Sequence, residues 1–328
     1  MHTLCAKSLF YRLLIEAWAA LISMPVSAQP VYPVKPIRVI LPIAAGGVAD
    51  VIMRATGQEL SARMGQTFVI DNRTGASGII GAEACAKAPP DGYTLCAIYS
   101  AITSINPHVF DKLPYDPARD FAPITNMHFV TGTLVVSASL PVKSVDELKT
   151  LVTTKPRAVS FATIGPGSYP EVFLTWLNRQ WKTDIPAVPY KGGGPIVFAL
   201  VSGEIQASAV GLGNMIGQLQ AGQVRALAIS AANRSRLFPA VPTFAEAGLG
   251  GFAGHLWWGL AAPAGTPKAI IARLNAELAK LFREPRFAEF LESHAVEPAI
   301  SSPAAFAAFL KADREWNATL ISSNRQPR

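Results

Sequence analysis

Short apolar runs, glycine-rich turns and segments with apolar residues at helical spacing alternate along most of the chain. The first unit has an apolar run at residues 37–43, a turn at residues 44–47 and a helix from about Ala49, whose Met53, Leu60 and Met64 share one face. Further apolar runs lie at residues 68–71, 93–98, 134–136, 159–163, 185–190, 205–210 and 224–230. Strands that alternate with helices in this way predict an α/β fold with mainly parallel sheets.

Helix start signals refine this pattern. Ser144 and Glu147 form a capping box, in which Glu147 is expected to accept a hydrogen bond from the Ser144 amide. Thr266 and Ser302, each followed by a proline, are expected to cap two helices of the C-terminal third. That third of the chain is therefore predicted to be mostly helical.

Length and composition indicate two globular lobes. The chain has 328 residues, more than one hydrophobic core usually serves, and 50% of them are apolar. The formal net charge of +7 favours anionic ligands. The basic residues form no stripe with interleaved aromatic residues, so a nucleic-acid partner is not expected.

Residues 1–28 have the pattern of a signal peptide. Lys7 and Arg12 precede an apolar stretch at residues 17–24, and Ala28 ends a small-residue cleavage site. The alternative is an ordinary N-terminal helix. No later apolar run reaches about 18 residues, so the mature chain is expected to be exported and not to span a membrane.

Two cysteines remain after this segment. Cys85 and Cys96 either form a disulfide in an oxidising compartment or are two small buried hydrophobic residues, and we favour the second interpretation. No histidine lies at ligand spacing from either cysteine, so no metal site is expected.

Three strand-to-helix turns are rich in glycine and would expose backbone N–H groups at helix N-termini. A helix N-terminus carries about half a positive charge and attracts carboxylate or phosphate groups. Ligands of open α/β sheets bind at the carboxyl ends of the strands, where these turns lie. The candidate anion-binding residues on the three turns are Ala44, Ala45, Gly46, Gly47, Gly165, Gly167, Ser168 and Gly192.

Side chains beside these turns supply further candidates. Thr163 and Tyr190 flank the second and third turns, and Ser100 ends a strand at the same edge as the first. These hydroxyl groups are expected to donate to the ligand. Trp257 and Trp258 either wall off a ligand or pack in the core.

Patterns typical of catalysis are few. The histidines of the mature chain are isolated, and the sequence lacks a nucleophile elbow, a P-loop and an H-E-x-x-H motif. One alternative is a dinucleotide-linked enzyme that uses Gly211, Gly213 and Gly217, with Arg234 and Arg236 further on. The next predicted strand follows too closely for the usual unit of about 30 residues, which disfavours this alternative.

Several longer segments carry a family resemblance that covers residues 31 to about 310. They include YPVKPIRVILPIAAGGVAD, IDNRTGASGIIGAEACAKAPPDGYTL, VPYKGGGP, AGQVRALAIS, RLFPAVPTFAEAGL and WWGLAAPAGTPKAIIARLNAEL. In these segments the chain resembles Bug-type extracytoplasmic solute receptors, the TctC-like substrate-binding components of tripartite tricarboxylate transporters.

The resemblance implies a type II periplasmic binding protein-like fold, with two α/β lobes and a ligand cleft between them. Residues 29–130 and 230–328 would form the first lobe, and residues 131–229 the second. The implied function is the capture of a small mono- or dicarboxylate in the periplasm, without enzymatic activity or a cofactor. The implied partners are membrane permease subunits, or a signalling partner if the receptor is an orphan, and the protein is expected to be a monomer.

The resemblance also assigns residues, some of which depart from the family pattern. It implies that Asp50 begins the first helix and that the amides of turns 44–47 and 165–168 hold the carboxylate. Ala44 and Ala45 replace a Pro-Pro pair, and Glu171 stands where a histidine is common. The strand around Ser208 lacks the usual aspartates, so an amino-acid ligand is disfavoured.

Overall fold

The fold is taken from a computed structural model of the chain, which describes residues 32–252 and 254–324. The chain divides into two units, Met1–Val34 and Lys35–Arg328. Only residues 32–34 of the first unit are described, so the predicted signal peptide and the cleavage near Ala28 lie outside the described residues. None of the described helices is long and apolar enough to cross a membrane.

The second unit contains two β-sheets. Its strands, in chain order, are β1 (Ile37–Leu41), β2 (Phe68–Asn72), β3 (Thr94–Tyr99), β4 (Phe121–Val130), β5 (Gly132–Ser137), β6 (Phe161–Thr163), β7 (Ala187–Pro189), β8 (Ala207–Gly211), β9 (Val224–Ile229), β10 (Leu256–Pro263) and β11 (Val296–Pro298). One sheet has the strand order β11-β4-β10-β3-β1-β2, and the other has the order β7-β6-β8-β5-β9. We call the corresponding parts of the protein the six-stranded lobe and the five-stranded lobe.

Helices connect and cover the strands of both sheets. In chain order they are α1 (Val48–Met64), α2 (Ile79–Ala86), α3 (Asn106–Val109), α4 (Val145–Thr154), α5 (Tyr169–Trp181), α6 (Gly193–Ser202), α7 (Ile216–Gln220), α8 (Lys268–Leu281), α9 (Pro285–Ser293) and α10 (Pro303–Asn324). A π-helical turn at Ala101–Ile105 and 3-10 turns at Ala76–Gly78 and Leu212–Asn214 complete the regular structure. The prediction of a mostly helical C-terminal third holds only from Lys268 onward, because β9, β10 and an irregular stretch occupy the part before it.

The prediction of mainly parallel sheets is wrong. β1 is parallel to β2 and β3, and β6 is parallel to β7 and β8, as expected of strands linked by helices. β10 is antiparallel to β3 and β4, β11 to β4, and β5 to β8 and β9. The strands at which the chain passes between the sheets, β4, β5, β9 and β10, all take part in antiparallel pairs.

Two passages of the chain join the sheets. β4 ends at Val130 and β5 begins at Gly132, so Thr131 alone separates them. The chain leaves β9 at Ile229 and enters the six-stranded sheet again at Leu256. The lobe boundaries expected from the sequence stay a prediction, although the strands change sheet close to these positions.

Each lobe has its own aromatic core. The largest buried cluster in the five-stranded lobe includes Phe161, Phe173 and Trp176. A separate cluster in the six-stranded lobe contains Trp257 and Phe306. Each sheet therefore packs on its own aromatic cluster, although Ile105 and Leu256 of the six-stranded lobe also contact the cluster of the five-stranded lobe.

The helix start signals have mixed outcomes. Ser144 Oγ accepts from the Glu147 amide at 3.1 Å as predicted, but Glu147 accepts from the Lys143 amide at 2.7 Å instead of that of Ser144. Ser302 Oγ accepts from the Ala305 amide at 3.1 Å, which confirms that cap. The cap predicted at Thr266 is wrong, because its hydroxyl donates to a preceding backbone carbonyl and α8 begins without a side-chain cap.

Cys85 and Cys96 form a disulfide between α2 and β3, with a Cα–Cα distance of 5.8 Å. The favoured interpretation of two unpaired hydrophobic cysteines is therefore wrong. Both residues are buried, with about 1% of their surface exposed, as either interpretation requires. The two interpretations differ only in whether the two sulfur atoms are bonded.

His128 is a buried histidine on β4. Neither ring nitrogen has a hydrogen-bond partner among the described residues, and burial lowers the pKa of His128 to about 3. An unfolded chain binds a proton at this side chain near pH 6.5. Acidification therefore stabilises the unfolded state relative to the folded state until the pH approaches the folded pKa.

We predict that protonation of His128 in the unfolded chain lowers the free energy of unfolding as the pH falls from 6 to 4. The expected loss is about 1 kcal/mol for each pH unit. His128→Gln should remove this part of the slope. Urea denaturation of the wild type and the variant across this pH range measures both slopes. A His128→Gln protein with the wild-type slope would contradict the assignment.

Candidate functional site

The N-termini of three helices meet at one cleft between the lobes. α1 comes from the six-stranded lobe, and α5 and α6 come from the five-stranded lobe. The cleft has a volume of about 90 Å³. Its lining includes the first residues of these helices and the residues just before them, namely Gly47, Val48, Ala49, Ser168, Tyr169, Pro170, Gly192 and Gly193.

Several backbone amides at this cleft are unpartnered. Within residues 32–252 and 254–324, the N–H groups of Gly47, Ala49, Tyr169 and Gly193 have no hydrogen-bond acceptor. They belong to the first turns of helices or to the position just before, where no intrahelical acceptor exists. Their positive ends make the cleft suited to an anion.

Asp50 orders the turn that precedes α1. Its carboxylate accepts from the Gly46 amide at 3.1 Å, from Arg54 at 3.0 Å and from Asn72 at 2.9 Å. Burial raises the pKa of Asp50, but the hydrogen bonds from Arg54, Asn72 and Gly46 outweigh it and hold this pKa below its ordinary value. The predicted ligand donor at Gly46 is therefore occupied by the protein itself.

Asn214 is a cleft residue that the sequence analysis missed. It belongs to the five-stranded lobe, yet its Oδ1 accepts from the amide of Val48 in the six-stranded lobe at 2.8 Å. Its Nδ2 donates to the Gly211 carbonyl at 3.1 Å, which fixes the orientation of the side-chain amide. In the sequence, the glycines around it suggest only a dinucleotide motif, which gives the nearby asparagine no role.

An aromatic wall closes one side of the cleft. Tyr99 and Trp258 stack with ring centroids 4.6 Å apart, and both line the cleft. Trp257, on the opposite face of β10, packs against α10 and donates to Asp313 at 3.2 Å. The tryptophan pair is thus divided, with Trp258 at the cleft and Trp257 in the core.

The cleft lining is uncharged. Its described residues include no Asp, Glu, Lys, Arg or His. Glu171, which had been expected to approach the ligand, is half-buried in the first turn of α5 and does not line the cleft. The absence of lining charges means that any anion here is balanced mainly by backbone dipoles.

The structure brings together only part of the predicted residues. Ala44, Gly47, Ser168 and Gly192 line the cleft. The remaining candidates do not line it: Ala45, Gly46, Asp50, Ser100, Thr163, Gly165, Gly167, Glu171, Tyr190 and Ser208. Ligand contact by any of these residues stays a prediction.

Several predicted donors bond to the protein itself. The Ser168 amide and hydroxyl both donate to the Gly165 carbonyl, at 3.1 and 2.7 Å. Ser208 donates to the Ala162 carbonyl at 2.8 Å. Tyr190 donates to Glu204 at 2.7 Å, and this hydrogen bond raises the pKa of Tyr190 to about 12.

A second cavity of about 780 Å³ lies at the passage between the lobes, where Val130 and Leu256 line both cavities. None of the residues predicted to bind the ligand lines it. Two of its arginines are paired with acids, Arg234 with Glu246 at 2.9 Å and Arg236 with a glutamate of α9. The smaller cleft is the stronger candidate because the three helix N-termini meet there.

Comparison with known proteins defines the family. Residues 52–324 match the model of the tripartite tricarboxylate transporter family receptor. The protein BugT of Bordetella pertussis is 34% identical over 283 residues, which cover 86% of each chain. The chain belongs to this receptor family.

Solved structures of similar proteins support the fold of the receptor. The R. palustris protein Rpa4515 with adipate has a TM-score of 0.86 at 32% identity and covers 89% of the receptor and 98% of its own chain. MatC from Rhodopseudomonas palustris with bound malate has a TM-score of 0.83 at 30% identity and covers 88% and 100%. The predicted two-lobed periplasmic binding protein-like fold is confirmed.

We predict that Asp50→Asn destabilises the receptor by about 1–3 kcal/mol, because one amide oxygen replaces a carboxylate that accepts charge-assisted hydrogen bonds. Asp146→Asn is the matched control, since Asp146 is exposed in the first turn of α4. Chemical denaturation at pH 7 measures both variants. Equal stability of the two variants would show that Asp50 does not hold the turn.

Proposed function

We propose that the receptor captures a small mono- or dicarboxylate in the cleft between its lobes. The observation that carries this proposal is the convergence of unpartnered amides from Gly47, Ala49, Tyr169 and Gly193. Donors from both lobes face one cavity, so one carboxylate can accept hydrogen bonds from each side. Malate and adipate are the ligands named for two similar receptors, which agrees with this chemistry.

The uncharged lining selects among anions. A carboxylate is stabilised by the helix N-termini, whereas an ammonium group would find no carboxylate partner on the described lining. Val210, on β8, lines the cleft and lies in the strand where the family resemblance implies aspartates. The receptor is therefore expected to prefer carboxylates without an amino group.

Cleft size and the aromatic wall define the ligand further. One water molecule needs a cavity volume of about 10–15 Å³. The cleft, with its volume of about 90 Å³, therefore accommodates roughly six to nine heavy atoms of a ligand. The stacked rings of Tyr99 and Trp258 offer an apolar surface to an aliphatic body. Together these features favour an aliphatic acid of short chain length.

The remaining parts of the proposal follow from family membership. As a member of this receptor family, the protein acts in the periplasm as a binding protein and not as an enzyme. It delivers its ligand to the membrane subunits of a tripartite tricarboxylate-type transporter. Residues 29–130 with 230–328, and residues 131–229, act as the two lobes that close on the ligand.

A thermal-shift screen tests the ligand class. Acetate, succinate, malate and adipate should include at least one stabilising ligand, and the diamides of the dicarboxylates, together with aspartate, are the controls. A ligand at a hundred times its dissociation constant stabilises by about 2.7 kcal/mol, which raises the midpoint clearly. Stabilisation by the diamides or by aspartate, with none by the four acids that lack an amino group, would refute the proposal.

The charge of the lining is tested at Val210, which is 4% exposed. We predict that Val210→Asp binds the best carboxylate of the screen at least tenfold more weakly than Val210→Asn, since the two side chains have nearly the same shape and differ in charge. Isothermal titration at pH 7 gives both affinities. Equal affinities of the two variants would mean that the negative charge of the ligand does not lie near residue 210.

A further inference from the structure

The 3-10 turn Leu212–Asn214 brings the backbone of the five-stranded lobe against the six-stranded lobe. A Cβ atom placed on Gly213 would lie 2.1 Å from the His294 carbonyl oxygen and 2.8 Å from Val48 Cγ2. His294 follows α9, and Val48 begins α1, so both neighbours belong to the six-stranded lobe. Glycine at residue 213 is therefore required by the contact between lobes, and not by a positive φ angle.

Asn214 adds a directed hydrogen bond to this contact. Its Oδ1 accepts a hydrogen bond from the Val48 amide, the first N–H of α1, at 2.8 Å. The turn is also anchored where the chain passes between the sheets, because the Leu212 amide donates to the Thr131 carbonyl at 2.8 Å. A short and rigid turn thus connects the passage between the sheets with the helix N-terminus at the cleft.

A second contact supports the lobes on the other side of the cleft. Ser77 Oγ, in the six-stranded lobe, donates to the Pro166 carbonyl of the five-stranded lobe at 2.5 Å. Beside this contact, a Cβ atom on Gly167 would lie 2.8 Å from Asn106 Oδ1, which is a side-chain atom. A Cβ atom on Gly213 would instead lie 2.1 Å from a backbone carbonyl oxygen, which has less freedom to move. The turn at residues 212–214 therefore limits the closure of the lobes more strictly than the contact between Ser77 and Pro166 does.

We propose that the turn Leu212–Asn214 is an interlobe stop, in which Gly213 sets the closing angle and Asn214 holds the N-terminus of α1 in position for the ligand. Asn214 is a positioning residue in this role. The inference rests on the proposed function, since closure has a consequence for affinity only if the cleft binds a ligand. If a smaller fraction of the molecules is closed, the apparent affinity for the ligand falls by the same factor as that fraction.

The test compares Gly213→Ala with Gly217→Ala, a matched control in α7 where an added Cβ meets nothing within 4 Å. Spin labels at the exposed positions Lys155 and Lys311, each changed to Cys, report the distance between the lobes. Gly213→Ala should lengthen this distance and weaken binding of malate or adipate at least tenfold with an unchanged unfolding midpoint. Gly217→Ala should match the wild type in all three measurements.

The outcomes separate the two proposals. Wild-type distance and affinity in Gly213→Ala would overturn the stop and leave the carboxylate function standing. A lengthened distance in Gly213→Ala, with no carboxylate bound by the wild type, would overturn the function and support the stop. If Gly213→Ala does not fold, Asn214→Ala removes the hydrogen bond without adding an atom. A longer distance with several-fold weaker binding then supports the stop, and wild-type behaviour overturns it.

Discussion

The arrangement of backbone N–H groups at the first turns of α1, α5 and α6 is the constraint on which the site depends. A helix cannot satisfy its own first amides, and burial without an acceptor is costly. Because α1 belongs to one lobe and α5 and α6 to the other, these donors share one cleft only when the lobes meet. An anion that accepts from all of them then stabilises the closed arrangement.

The surrounding residues keep these donors in place and leave the cleft neutral. Asp50 binds the Gly46 amide beside α1, and Asn214 takes the Val48 amide from across the cleft. Both acceptors occupy N–H groups at the N-terminus of α1, so the number of donors left for the ligand is set by the protein. The stacked Tyr99 and Trp258 supply an apolar surface next to them.

The sequence predicted much of this arrangement from local patterns. Apolar runs located eight of the eleven described strands and the start of α1, but not β4, β10 and β11. The two glycine-rich turns at Gly47 and Gly192 lie at the cleft. The sequence did not reveal which donors stay free, because the acceptors of the Ser168 and Gly46 groups are set by the conformation of each turn. It also missed Asn214, whose partner lies 166 residues away in the chain.

The central claim is that helix N-termini bind the ligand as a carboxylate anion, and NMR of a ¹³C-carboxyl-labelled ligand tests it most directly. The chemical shift of bound malate or adipate, followed as the pH falls from 7 to 4, reports its protonation. The account predicts that the bound carboxyl group stays ionised below the pH of about 4 at which a free carboxyl group takes up a proton. A bound carboxyl group that protonates at or above the pH of the free acid would contradict it.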